Sequence, residues 1–194
     1  MCIMKTENKI ISLFIEEKIP KTIREVSKKI KSDYRITHIA TQRLLEKSIL
    51  TSRRIGKSRL CELNNSYYGA EIYEAEKEKK ENLLKNKDLK QLYNEVMSKV
   101  KSSFFIFLIF GSYAKWRSTK SSDIDILFVS NKQGFEEKIS NALSLLPVNT
   151  HALVFTEEDF IRMKDSRKSN VVKEAIEDNI ILYGVENYYK LKNA

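Results

Sequence analysis

Cysteine, proline, glycine and histidine are all scarce in this chain of 194 residues, which holds two Cys, two Pro, five Gly and two His. The cysteines, Cys2 and Cys61, stand far apart and offer neither a disulfide framework nor a zinc-ligand spacing. No apolar run is long enough for a bilayer span, and the first residues have no signal-peptide pattern. There is no internal repeat and no low-complexity segment. These absences exclude a cysteine-stapled secreted scaffold and a helical membrane protein, and they lead us to expect a cytoplasmic chain. With so few prolines, each acts as punctuation: Pro20 stops a helix and Pro147 precedes a strand.

What the chain does have is an ordinary apolar content and a length that suits two small domains. Its positive charge is unevenly spread. Residues 1–66 carry 15 Lys/Arg against 7 Asp/Glu, a net +8, whereas residues 67–194 carry 20 against 19, a net +1. A basic module joined to a neutral domain is the pattern expected of a nucleic-acid-binding segment.

In the basic third, Lys9 to Lys18 places Ile10, Ile11, Phe14 and Ile15 on one helical face. Thr22-Ile23-Arg24-Glu25 has the spacing of a capping box and predicts a second helix to about Ile30. A third helix is expected from about Ile36 to Lys47, with Ile36, Ile39, Ala40, Leu44 and Leu45 on its apolar side. Ile49 to Arg53 and Arg59 to Leu63 read as strands joined through Gly56, which suits a hairpin turn. From Tyr67 to Val100 the chain is highly charged. Residues 67–88 read as a solvated helical linker, and Leu92, Tyr93, Val96, Met97 and Val100 form an amphipathic face beyond it.

The stretch Phe104 to Ser130, FFIFLIFGSYAKWRSTKSSDIDILFVS, carries the chemistry. Its first apolar run reads as a buried strand ended by Gly111, which permits a tight turn and close approach of a ligand to the backbone. Ser112 adds a hydroxyl and a backbone N–H, at a helix start where anions are favoured. Asp123 and Asp125, two apart on a second strand, point to one face while Ile124 points to the other. Two adjacent carboxylates repel unless a cation lies between them, and Mg²⁺ is held by a few carboxylates together with phosphate oxygens. A phosphate-cradling turn beside such a pair is what nucleotidyl transfer requires. Beyond it, Gly134 to Leu146, Thr156 to Met163, Ser169 to Asp178 and Glu186 to Lys192 are expected as helices. Val148 to Phe155 and Ile180 to Tyr183 read as short apolar runs, the first a strand.

GSYAKWRSTKSSDIDILFV resembles the signature of the DNA polymerase β-like nucleotidyltransferases, in particular the minimal nucleotidyltransferases. Gly111, Ser112, Ser122, Asp123 and Asp125 occupy the signature positions. The resemblance implies that Gly111, Ser112 and Ser122 bind nucleotide, and that Asp123 and Asp125 are catalytic and bind Mg²⁺ or Mn²⁺. The chain departs from the pattern twice. Trp116 stands where the family usually has a small residue, often Gly. The family's third carboxylate, on the next strand, has no counterpart in Val148 to Phe155; Asn149 or His151 lies near that place, and Glu157, Glu158 and Asp159 follow the strand.

RITHIATQRLLEKSILTSRRIGKSRLCELN resembles the third helix and wing of winged helix-turn-helix proteins, with Ser48 where Gly is common. That resemblance implies that the third helix enters the major groove of double-stranded DNA. Arg35, Thr37, His38, Thr41 and Gln42 would make its contacts, and Arg53, Arg54, Lys57 and Arg59 would flank the backbone or minor groove.

The expected class is therefore α+β. A winged helix-turn-helix over residues 1–66 is followed by a charged helical linker (67–88) and a nucleotidyltransferase-like domain (89–194) with a small mixed sheet flanked by helices. One expected function is transfer of a nucleoside monophosphate from a nucleoside triphosphate to a hydroxyl of a protein, RNA or small molecule. A toxin partner is one such acceptor, since minimal nucleotidyltransferases often act as antitoxins. The other is a transcriptional regulator whose nucleotidyltransferase domain is degenerate and serves nucleotide sensing or dimerisation. A scaffold using both folds for association is a third. Winged-helix proteins often dimerise, so a homodimer is the expected state.

Overall fold

The computed structural model describes residues 6–56, 58–101, 104–119 and 122–194. The chain forms two compact units, Met1–Glu78 and Lys79–Ala194.

The first unit runs α1 (Thr6–Glu17), β1 (Lys21–Thr22), α2 (Ile23–Lys29), α3 (Tyr34–Glu46), β2 (Leu50–Ile55), β3 (Ser58–Leu63). The strands form an antiparallel sheet in the order β1-β3-β2. α1 buries Ile10, Ile11, Phe14 and Ile15, the face its periodicity predicts. α2 starts where the sequence places it: the Thr22 hydroxyl accepts from Glu25 N–H, and the Glu25 carboxylate accepts from Thr22 N–H at 2.7 Å. The strand β1 carries too few residues to show any alternation and was not legible in the sequence.

α3 is rotated relative to expectation. It buries Thr37, Ala40, Thr41 and Leu44, and leaves Ile36 and Ile39 54% and 53% exposed. The reason lies in the threonines. Thr37 Oγ1 donates to Asp33 O and Thr41 Oγ1 to Thr37 O, each at 2.8 Å. With their hydroxyls satisfied along the helix, both side chains can turn their methyl groups to the core. Asp33 caps this helix by accepting from Arg35 N–H and Ile36 N–H.

The helix α4 (Ala70–Leu83) spans the division between the units. It is not the solvated linker its charge suggests. Ile72, Ala75, Glu76, Lys79 and Leu83 are buried. Lys79 Nζ donates to Asn179 O at 2.5 Å, so a charged residue occupies a core-facing position and hides the apolar stripe.

The second unit continues with α5 (Lys87–Lys99), β4 (Ile106–Phe110), α6 (Gly111–Ala114), β5 (Ile124–Val129), α7 (Phe135–Leu143), β6 (Thr150–Phe155), α8 (Glu157–Asp165), α9 (Val171–Glu177), β7 (Asn179–Tyr183) and α10 (Val185–Asn193). Its sheet is mixed, in the order β6-β5-β4-β7. β4 is antiparallel to β5 and β7, and β5 is parallel to β6. Every residue of β4 is buried, which is why the sequence shows an unbroken apolar run rather than alternation. Phe107, Ile109, Ile126 and Phe128 share a core with Leu92, Val96, Phe135 and Ile139 of α5 and α7. Phe107 stacks on its register partner Phe128 at 4.7 Å between ring centroids. Two neighbouring strand ends, that of β4 and the start of β5, are thereby fixed side by side, and the signature residues sit on them. No helix among the described residues is long and apolar enough to cross a membrane.

Candidate active site

Gly111 follows β4 with a left-handed φ of 65° and opens the single turn α6. Two constraints meet there. The backbone conformation disfavours any side chain, and a Cβ at this position would overlap Asp125 Oδ2 and stand 3.1 Å from Asp125 Cγ. Glycine is thus required so that the Asp125 carboxylate can lie directly against the turn. Ser112 is half-buried, and its carbonyl accepts from Arg117 N–H at 3.0 Å, which closes the chain back after α6.

Ser122 closes the same loop from its other end. Its hydroxyl accepts from Thr119 N–H at 2.9 Å and contacts the Thr119 hydroxyl at 3.1 Å. The hydroxyl expected to face a nucleotide is therefore engaged in holding the approach to the Asp pair. Asp123 is exposed at the mouth of β5, and Asp125 is half-buried one pleat further in. Ile124 between them is buried in the core and anchors the strand, with its N–H donating to Asn149 O at 3.0 Å.

The parallel register of β5 and β6 sets Asp125 beside His151. His151 Nδ1 lies 3.6 Å from Asp125 Oδ1, too long for a hydrogen bond and close enough for an ionic contact when the imidazole is protonated. His151 is thus the side chain that stands at the neighbouring-strand position. Asn149, just before β6, accepts there from Ile124 N–H through its carbonyl. Glu157, Glu158 and Asp159 form the first turn of α8, past the far end of β6. A six-residue strand puts them about 20 Å from the Asp pair. Their groups are used locally, Thr156 capping the helix through Asp159 N–H and Asp159 pairing with Arg162 at 2.6 Å.

Among the described residues, no group of three or more His, Cys, Asp and Glu is arranged to hold a metal ion. The two carboxylates do fit Mg²⁺ when the remaining ligands come from substrate phosphates and water, which is how this hard cation is commonly held. Gly111 leaves its backbone bare against one of those carboxylates, where a Cβ would overlap Asp125 Oδ2. Lys115 pairs with Asp178 at 3.7 Å and ties α6 to the start of β7.

In the first unit, His38, Gln42 and Arg59 come together on one groove of about 530 Å³, with Tyr34, Ser58 and Arg24. Arg24, on the first turn of α2, was not among the expected contacts. Its signal was its place two residues after the capping threonine, in the first turn of α2. Arg35 is exposed on α3, and Arg53 and Arg54 are exposed on β2, with Arg54 Nε donating to Gly56 O at 3.3 Å. Thr37 and Thr41 are corrected: both are fully buried with hydroxyls bonded to their own helix, so neither can reach a nucleic acid. Lys57 lies outside the described residues.

Against known families, residues 94–187 match the model described as Polymerase beta, Nucleotidyltransferase, a little under half of the chain. That match supports a nucleotidyltransferase-like domain over that span, in keeping with the Gly-Ser and Asp-x-Asp spacing. No curated protein matches the chain.

Proposed function

We propose that the second unit binds a Mg²⁺-bound nucleoside triphosphate and transfers its nucleoside monophosphate to a hydroxyl acceptor, and that the first unit is a winged helix that binds double-stranded DNA. The observation that supports the first part is the packing of Gly111 against Asp125, which brings the Gly-Ser turn and a carboxylate of the Asp pair together. Asp123 and Asp125 would hold the metal. When bound, Mg²⁺ supplies charge neutralisation of the phosphates and polarisation of the reacting phosphoryl group. The Gly111-Ser112 turn would orient the triphosphate. The acceptor oxygen forms a bond to the α-phosphorus, the bond to the bridging oxygen of the β-phosphate breaks, pyrophosphate leaves, and the acceptor proton passes to solvent. A protein hydroxyl, as on a toxin partner, is one acceptor this chemistry admits.

The DNA-binding part is supported by the order α1-β1-α2-α3-β2-β3 and by the net +8 of residues 1–66. It is also supported by the exposed cations around the groove between α2, α3 and β3.

A second reading has its own observation: an imidazole stands beside Asp125 where the family has a third carboxylate. On that reading the domain senses nucleotide and the chain is a DNA-binding regulator. One experiment separates them. Transfer of label from α-labelled NTP to protein, RNA or small-molecule acceptors is measured for the wild type, Asp125→Asn and His151→Asp, alongside DNA binding at several salt concentrations. Turnover abolished by Asp125→Asn supports the enzyme. Salt-sensitive DNA binding without wild-type turnover, with transfer gained in His151→Asp, supports the regulator. Absence of both activities in all three proteins overturns both readings.

A further inference from the structure

Trp116 is the only tryptophan in the chain, and it is held where tryptophan fits worst. Its φ is 55°, in the left-handed region that bulky side chains rarely enter. The strain is not repaid by visible partners of the ring. Trp116 is 53% exposed, and no hydrogen bond or ring contact of its indole is found among the described residues. The backbone fixes its place: Trp116 N–H donates to Tyr113 O at 3.2 Å and Arg117 N–H to Ser112 O at 3.0 Å. The residue therefore sits, exposed, on the turn that immediately follows Gly111-Ser112. Arg117, next to it, is exposed and has no carboxylate partner among the described residues, and the sequence from Lys115 to Thr119 contains no acid. A strained, exposed aromatic residue beside an exposed guanidinium suits a ligand with a flat ring and negative charge.

We propose that the Trp116 indole is the stacking face for the nucleobase of the triphosphate held at Gly111-Ser112, an inference that rests on the nucleotide-binding reading above. The base stacks on the indole, while the phosphates run back along the turn towards the Asp pair. Stacking tolerates different bases because each presents a π-face, so the contact favours nucleotide over bare phosphate without choosing one base strictly.

The test uses the intrinsic fluorescence of this single tryptophan in the full chain, together with calorimetry. The probes are ATP, GTP and inorganic tripolyphosphate, each with Mg²⁺. The expected result is a saturable fluorescence change with a nucleotide at the concentrations where calorimetry sees binding, and none with tripolyphosphate. Trp116→Gly should lose roughly tenfold in nucleotide affinity while its tripolyphosphate affinity and Tm are unchanged or higher, and Trp116→Phe should keep most of the affinity. Calorimetric binding of nucleotide with no fluorescence change, or with equal loss of nucleotide and tripolyphosphate affinity in Trp116→Gly, overturns the stacking role and leaves the nucleotide site standing. No calorimetric binding of any probe to the wild type overturns the nucleotide site and the stacking role together.

Discussion

Three residues show how backbone conformation links sequence to site. Gly111, Ser48 and Trp116 all adopt positive φ, at 65°, 57° and 55°. Only the first is glycine, yet the two resemblances read in the sequence place Gly commonly at the other two. The left-handed turns were thus legible from the family pattern, even though the residues filling them here are not glycine. The left-handed region costs a side-chain-bearing residue about 1–2 kcal/mol. Ser48→Gly should raise stability by about 1 kcal/mol, since the Asn64 Nδ2 bond to the Ser48 carbonyl needs no side chain at residue 48. Gly111→Ala should lower stability by at least that much, because the new methyl group must also displace Asp125. Thermal unfolding of the two variants checks the pair. A neutral Gly111→Ala would mean that Asp125 has another resting place. His151 was less legible. The sequence located it near the third-acid position, but the choice between it and Asn149 required the β5–β6 register.

At the scale of elements, helix starts were read well and helix faces less so. The Thr22-to-Glu25 spacing names a capping box directly, and the structure contains it. The face of α3 was misread because threonine was counted as polar, whereas a hydroxyl bonded four residues back leaves an apolar surface. The stripe of α4 was hidden for the converse reason, a lysine buried with its ammonium on a carbonyl. The caps and ion pairs of the first unit also set its pH response. Thr22's backbone N–H and hydroxyl hold the Glu25 carboxyl below its ordinary value, Lys21 does the same for Glu17, and Tyr67 for Glu71. In each case the folded state favours the carboxylate. Its stabilisation is complete above the ordinary value of 4.5 and is lost as pH falls through the lowered one. Tyr67, hydrogen-bonded to Glu71 at 2.5 Å, has its phenol pushed up to about 12 from 10.0, so this contact is complete below pH 10 and fades as pH rises towards 12. The Tm of the full chain should therefore fall below pH 4.5. Glu25→Gln should show a shallower fall than wild type. A Tm independent of pH in that acid window would contradict these assignments.

For the whole molecule, the sequence shows two segments distinct in charge and motif before it shows two units in space. The basic excess lies within residues 1–66, and the nucleotidyltransferase match within residues 94–187. The division of the chain falls later than composition suggests, at Glu78 and Lys79, because burial rather than charge decides where α4 belongs. The mixed sheet of the second unit was legible from the Phe-rich run and the Asp-bearing run. The pairing of β7 with β4 was not, since a five-residue apolar segment far along the chain carries no mark of its neighbour. Everything proposed for the second unit depends on one site, where Asp123, Asp125 and the Gly111-Ser112 turn meet. The most direct measurement is calorimetric titration of each NTP, with and without Mg²⁺, into the wild type and into the Asp123→Asn/Asp125→Asn double variant. It needs no knowledge of the acceptor. Metal-dependent binding of at least one NTP to the wild type, lost in the double variant, is the expected result. Absence of binding to the wild type, or equal binding to both proteins, would contradict a nucleotide site at the Asp pair.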